Sequence, residues 1–377
     1  VWNSSVFEKL IVQYDIHNDE LDINRVINSE RDLVISILGF LKIASGGERF
    51  VATSDIVEAF SQNFDKKITL GGTSVRAAIT MRKFGYTSAL HLVTTNDHVR
   101  RLIPQDSPYV SSSVNDSSYP HLIVQFGKAT CVKAGDIDIC THQANRLIYH
   151  SDSDNIMMHL NEDFSELITD AKVLLVSGFN AMHDEALLTN RLESVLKILE
   201  RLPKDALVYC EDAGYYEPRY SHLVYHTLGK HIDILSLNED ELQAHLNRKL
   251  DLLDALQIKE AIAALQQLFP IPLIVVHSRY WALAYGKQAR SFAKALKTAT
   301  SLATTRFCYG DDFTVENYKE VESLPPGAEN AKFADALNVL PGDEIYCVPV
   351  AHVEPSTATT IGLGDTFVGG FLPALLY

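Results

Sequence analysis

The residues best suited to chemistry lie near the end of the chain, in "TTIGLGDTFVGGF" at 359–371. Gly362, Gly364 and Asp365 open an apolar run, so the stretch reads as a loop entering a helix. Glycines there let backbone N–H groups approach an anion, and the helix dipole favours negative charge at the same end. A carboxylate beside such an anion is repelled by it. The chemical reason to keep one is removal of a proton from an attacking hydroxyl. The competing reading is an ordinary helix cap, since Asp caps helices well and Gly is common beside it. The motif by itself favours the cap.

Other groups have the same double character. In "SLNEDEL", Asn238 and Glu241 are three residues apart, the spacing of an N-cap and its capping-box partner. Glu211 lies in "YCEDA", Arg279 follows "LIVVHS", and Arg146 falls in "ANRLIYH". Each arginine, taken singly, is a surface side chain. His277 and His352 read as packed or solvent-facing histidines.

The elements that must position these groups alternate along the chain. Apolar runs at 33–38, 88–95, 121–126, 172–179, 206–212, 232–238, 272–278 and 344–350 predict strands, several of them apolar throughout as in a sheet covered on both faces. Between them, Leu188, Leu192, Val195, Leu199 and Leu202 recur at helical spacing, and Gly85 and Gly310 close two further helices. Strand, helix, strand order predicts a mostly parallel sheet with helices on both faces. Residues 1–32 read as a helical extension. Residues 105–165 carry Ser, Asp and Asn clusters around short strands, antiparallel by their short connections, and form a candidate lid.

Composition narrows the partners. A chain of 377 residues, 46% hydrophobic, can hold two or three domains, or one large domain with a smaller one appended. A net charge of −15 disfavours nucleic acid, which needs a clustered cationic face. No apolar run approaches the ~18 residues of a membrane span, and the first residues lack a basic-then-apolar leader, so a cytoplasmic protein is expected. Cys131, Cys140, Cys210, Cys308 and Cys347 are odd in number and form no CxxC pair. The expectation is reduced, mostly buried thiols, with neither a disulfide framework nor a zinc cage.

"LGGTSVRAA" at 70–78 combined with "GLGDTF" at 362–367 resembles the ribokinase-like sugar kinases, and more specifically the ADP-dependent glucokinase and phosphofructokinase family. "ANRLIYHSDSDN", "LLVSGFNAMH", "SLNEDEL", "LIVVHSRYWALA", "ATSLATTRFCYG" and "TTIGLGDTF" follow in family order. The resemblance implies an α/β fold: a ribokinase-like three-layer α/β/α sandwich with a mostly parallel central sheet and a smaller β-rich lid. The large domain would comprise 33–42, 66–104 and 166–377, the lid 43–65 and 105–165, after the extension at 1–32. It implies transfer of the terminal phosphoryl of ADP to a sugar hydroxyl, leaving AMP. Asp365 would be the base, with the amides of Gly362, Leu363 and Gly364 as anion hole. Asn238, Arg279, Val350 and His352 would take the nucleotide, and Gly71, Gly72, Thr73 and Arg146 the sugar. Glu241 would organise Mg²⁺; Glu211 is its companion, although Tyr209 replaces the family's His two residues before it.

The sugar side departs from the family. "GFLKIASGGERF" lacks the usual Asp after the first strand, and Thr73, not Asn or Gln, follows Gly71 and Gly72. A carboxylate accepts two hydroxyls strongly, whereas Thr offers one weaker group. The leading expectation is an active ADP-dependent kinase with an altered acceptor. The alternatives are a kinase-fold binding or regulatory protein without turnover, and an ATP-dependent ribokinase relative. The expected partners are a small sugar and a nucleotide, with no nucleic acid and no membrane; the sequence gives no oligomeric state.

Overall fold

The computed structural model describes residues 2–355 and 358–376. In chain order its strands are β1 (Gly47–Phe50), β2 (Leu90–Leu92), β3 (Tyr109–Ser111), β4 (Leu122–Phe126), β5 (Cys131–Ala134), β6 (Ile137–Cys140), β7 (Asn145–His150), β8 (Val173–Val176), β9 (Leu207–Glu211), β10 (Ile234–Asn238), β11 (Leu273–His277), β12 (Trp281–Gly286) and β13 (Ile345–Pro349). The chain divides into two compact units, Val1–Thr69 with Asp116–Ile156, and Leu70–Asn115 with Met157–Tyr377.

The larger unit is built on a six-stranded sheet ordered β13-β12-β11-β10-β9-β8. β8 to β11 pair in parallel, and β12 is antiparallel to both neighbours. Alternate residues feed two cores. Leu235, Leu237, Ile274 and Val276 pack on one face, and Ile234, Leu273 and Val275 on the other. The two-sided burial expected from the apolar runs follows, and β12 adds a strand at "WALAYG" that the run analysis did not single out. The helix Glu185–Leu199 buries Leu188, Leu192, Val195 and Leu199 as its spacing predicts. Gly85 and Gly310 take positive φ, 89° and 69°, just beyond two helices.

The smaller unit has a three-stranded sheet, β1-β7-β4, and a β5–β6 hairpin. β4–β7 and β5–β6 are antiparallel; β1 joins β7 in parallel.

Two expectations are corrected here. Residues 33–38 are not a strand but the centre of the helix Glu30–Lys42. Ser29 caps it by accepting from the Asp32 amide, acids fill the first turn and Lys42 the last, and Leu33 to Leu41 are buried all round. An apolar run buried on every side has no period to betray it; the Ser-x-x-Asp start is the signal that decides. The cysteines are not all thiols: Cys131 and Cys140 are disulfide-bonded, with Cα atoms 4.1 Å apart. They are directly opposed in the hairpin register, a pairing that sequence spacing alone does not reveal. Cys210 and Cys347 are buried thiols and Cys308 is half-buried. Among the described residues no helix is long and apolar enough to cross a membrane.

Candidate active site

The terminal helix Leu363–Ala374 starts at Gly362, which adopts a left-handed φ of 66°. A Cβ on Gly362 would also lie 2.7 Å from Arg76 Nη1 and 3.2 Å from Arg306 Nε, so conformation and space both demand glycine. The amides of Leu363, Gly364 and Asp365 belong to the first turn and have no intrahelical acceptor. Asp365 is three residues into the helix, so it is not the N-cap that the bland reading expected. The helix packs tightly because glycines face its neighbours. A Cβ on Gly369 would meet Thr80 Cβ at 2.7 Å and the Ala77 carbonyl at 2.9 Å, and one on Gly370 would meet Leu302 Cδ1 at 2.8 Å.

Those neighbours, the helices Thr73–Lys83 and Ala293–Tyr309, each bring a buried arginine to the turn. Arg76 Nε lies 3.6 Å from Asp365 Oδ2, and its Nη1 lies 3.5 Å from Asp311 Oδ1. Arg306 donates from Nη2 to the same Asp311 oxygen at 2.6 Å and from Nε to the Ile361 carbonyl at 2.7 Å. Burial, and then the charge of Arg306, push the Arg76 guanidinium below its ordinary pKa, while Asp365 and Asp311 act against that shift. Two guanidiniums thus frame the loop that precedes the helix, one fixing its backbone and the other facing the carboxylate.

A second group gathers at the carboxyl ends of β9 and β10. Asn238 Oδ1 accepts from the amides of Asp240 and Glu241 at 2.8 and 3.0 Å, and Glu241 Oε2 accepts from the Asn238 amide at 2.8 Å, closing a capping box. Burial, followed by the charge of Asp212, pushes the Glu241 carboxyl well above the usual range. Burial also raises Glu239. Glu211 accepts from His277 Nε2 at 3.1 Å and from the Tyr209 hydroxyl at 3.3 Å. Asp212 accepts from His245 Nε2 at 2.6 Å and from the Tyr225 hydroxyl. His277 connects the two groups: it is the register partner of Asn238, and its Cε1 is 3.5 Å from the Cβ position of Gly364.

Residues 4–372 match the model of the ADP-specific phosphofructokinase/glucokinase conserved region. The chain belongs to that family. It is therefore an ADP-dependent sugar kinase, a phosphotransferase with an alcohol acceptor and ADP as donor. Solved structures share the fold. A hypothetical ADP-dependent phosphofructokinase from Pyrococcus horikoshii OT3 is 18% identical, with a TM-score of 0.76 over 100% of this chain and 94% of that one. A phosphofructokinase from Pyrococcus horikoshii OT3 with AMP is 17% identical, with a TM-score of 0.76 over the same shares of 100% and 94%. An ADP-dependent kinase in complex with fructose-6-phosphate and ADPβS is 15% identical, with a TM-score of 0.74 over 99% and 97%. No curated protein sequence matches the chain.

The remaining family positions are distributed as follows. Gly71, Gly72 and Thr73 form the start of the helix that carries Arg76; Gly72 has φ 80°, and open space surrounds a Cβ at either glycine. Arg279 is exposed in the β11–β12 turn, its guanidinium 4.5 Å from the Tyr280 ring. The Val350 amide donates to the Tyr280 carbonyl at 2.9 Å, and exposed His352 pairs with Glu354 at 3.5 Å. Arg146 lies on β7 of the smaller unit. Sequence reasoning passed over Arg76, Arg306 and Asp311. The available signal was an arginine at buried helical spacing, amid Ala77, Ala78 and Thr80 in one helix and Thr304 and Thr305 in the other.

Proposed function

We propose that Asp365 accepts the proton of a sugar hydroxyl while that oxygen forms a bond to the terminal phosphorus of ADP and the bond to AMP breaks. The amides of Gly362, Leu363 and Gly364 face the charge gathered on the transferring group, where fixed dipoles cost no reorganisation. The observation that carries this reading is the Arg76 guanidinium 3.6 Å from the Asp365 carboxylate in the first turn of a glycine-started helix. It orients the carboxylate and adds positive potential beside the site. Arg306 contributes by holding the Ile361 carbonyl and hence the loop.

Asn238, Arg279, Val350 and His352 are assigned to the nucleotide, and Gly71, Gly72, Thr73 and Arg146 to the sugar. Mg²⁺ fits this chain as a water-rich ion. Glu241 and its neighbours are hard oxygen donors whose crowding a cation relieves, yet among the described residues no three acids, histidines or cysteines are arranged as a cage. Asn238 and Glu241 would hold it through water, and the ion when bound offsets phosphate charge. Segments 43–65 and 105–165 are assigned to a lid, because transfer to a sugar competes with transfer to water. Ligand-dependent protection of both segments in hydrogen exchange tests that part.

The experiment for the whole reading is incubation with Mg²⁺, a sugar panel and either ADP or ATP, followed by detection of AMP, ADP and sugar phosphate. AMP with a sugar phosphate from ADP supports it. Products from ATP alone would move the chain to the ATP-using alternative, and nucleotide binding without product would make it a regulator.

A further inference from the structure

We propose that Tyr209, Glu211 and His277 form a positioning device for the first turn of the terminal helix, and that Glu211 serves this device instead of ligating the cation. The inference rests on the reading of that turn as the anion hole.

Both oxygens of Glu211 are already engaged from within the protein, Oε1 by His277 at 3.1 Å and Oε2 by Tyr209 at 3.3 Å. The Glu211 side chain is only 6% exposed and Tyr209 is fully buried, so a directly bound Mg²⁺, which dehydrates reluctantly, would have to shed water to share oxygens already held by two fixed donors. Tyr209 and Glu211 are two apart on β9 and therefore share a face, which lets the hydroxyl reach the carboxylate without distortion.

The other end of the device is mechanical. His277 is the last residue of β11, its backbone paired with Asn238 on one side and Ala282 on the other, so its Cα is fixed by the sheet. Its ring lies 4.5 Å from the Phe367 ring at 33°, and its Cε1 is 3.5 Å from the point a Cβ on Gly364 would occupy. Glu211 fixes the imidazole from one side, and the terminal helix packs its Phe367 ring on the other. Displacing the start of that helix would therefore either crowd the imidazole or open a void beside it. Anion-hole amides act only when aimed at the developing charge, so a strand-anchored ring is a means of aiming them.

Variants His277→Ala, Glu211→Gln, Tyr209→Phe and the His277→Ala/Glu211→Gln double test this. Hydrogen exchange at the Thr366 and Phe367 amides, the first with intrahelical acceptors, needs no sugar and should accelerate in His277→Ala and Glu211→Gln. Where turnover is measured, kcat should fall about 10–100-fold, the order a misplaced group costs, with KM for ADP changed less than about twofold. The double variant should be no worse than either single one, and Glu211→Gln should leave the Mg²⁺ concentration for half-activity unchanged. Tyr209→Phe, the mildest change, guards against misfolding and should show the same direction. A Glu211→Gln enzyme needing more Mg²⁺, or His277→Ala with wild-type exchange, overturns the proposal. No sugar phosphate from ADP with any sugar in the panel would instead remove the anion-hole reading while leaving the exchange result standing, so the two failures are distinguishable.

Discussion

The cationic and the acidic groups near the terminal helix are solved differently by the same fold. Arg76 and Arg306 are buried but each faces carboxylate: Asp365 and Asp311 for one, Asp311 for the other. At the ends of β9 and β10, Glu211, Asp212, Glu239 and Glu241 crowd together, and Glu211, Asp212 and Glu241 accept from an amide, tyrosines and histidines. Permanent cations must be paired when buried because they cannot shed their charge. Carboxyls can take up a proton instead, and burial shifts Glu239 and Glu241 in that direction. The first group is therefore complete without a ligand, and the second is where an added cation would lower the energy.

The largest expected effect lies in the first group. Asp365→Asn should lower kcat by about 10²–10⁴-fold, the usual loss of a base, while ADP still binds in calorimetry. Near-normal turnover would reduce Asp365 to a dipole-favoured acid in a first helical turn.

Arg306→Ala should act mainly on folding. It removes the donor to the Ile361 carbonyl and leaves Asp311 with a reduced counter-charge. Breaking such a pair costs about 3–5 kcal/mol when fully buried; Asp311 is 32% exposed, so about 2–3 kcal/mol is expected. Arg306→Lys should recover only part of this, because an ammonium cannot span both acceptors as the fork does. Denaturant titration of the three proteins checks the order, and an Arg306→Lys variant as stable as wild type would break the claim that geometry matters beside charge.

How much of this was legible in the sequence depends on the distance over which each signal acts. β8, β9, β10, β11 and β13 and the Leu188–Leu199 stripe are written locally, in runs and spacings. Residues 33–38 were misread because an element buried all round loses its period, and the cysteine pair because register across a hairpin is not a sequence motif. Asp365, Gly362, Asn238 and Glu241 were visible as short motifs with two meanings each. Arg76 and Arg306 were not: their role depends on helices meeting Gly362 across the fold, and a lone arginine in a helix reads as solvated. His277 was read as packed or solvent-facing, and it is packed. Only the structure places what it packs against, the Phe367 ring on one side and Glu211 on the other.

A half-buried histidine shifted by desolvation alone isolates the effect of burial. His91 is pushed down to about 4 by desolvation, and its Nε2 accepts from the Asn161 amide at 2.9 Å, which requires the unprotonated nitrogen. The unfolded chain, with a His pKa near 6.5, binds the proton more readily. Stability is therefore full above about 6.5 and is lost as pH falls toward 4, by at most about 3 kcal/mol. His91→Asn should flatten that part of the stability curve whatever it does to the absolute value. An unchanged slope would mean that burial at this position does not control the titration.

Glu241→Gln adds like-charge crowding to burial and gives the smallest effect. Glutamine can accept from the Asn238 amide as glutamate does, so the capping box survives. What disappears is a carboxyl that must either take up a proton or add a charge beside Asp212, Glu211 and Glu239. Because the folded carboxyl is raised above its unfolded value, the wild-type native state holds the extra proton. Its penalty is absent at low pH and grows as pH rises through the unfolded value of about 4.5 toward the folded one. In metal-free buffer near neutral pH the variant should then melt at the same temperature as wild type or slightly above it, and the gap should close on acidification. Mg²⁺ should stabilise wild type by mass action and the variant less. A variant that is destabilised by about 1 kcal/mol or more, with an unchanged response to Mg²⁺, would make Glu241 a cap and nothing else. The acidic group would then be a cost of the fold, not a seat prepared for a cation.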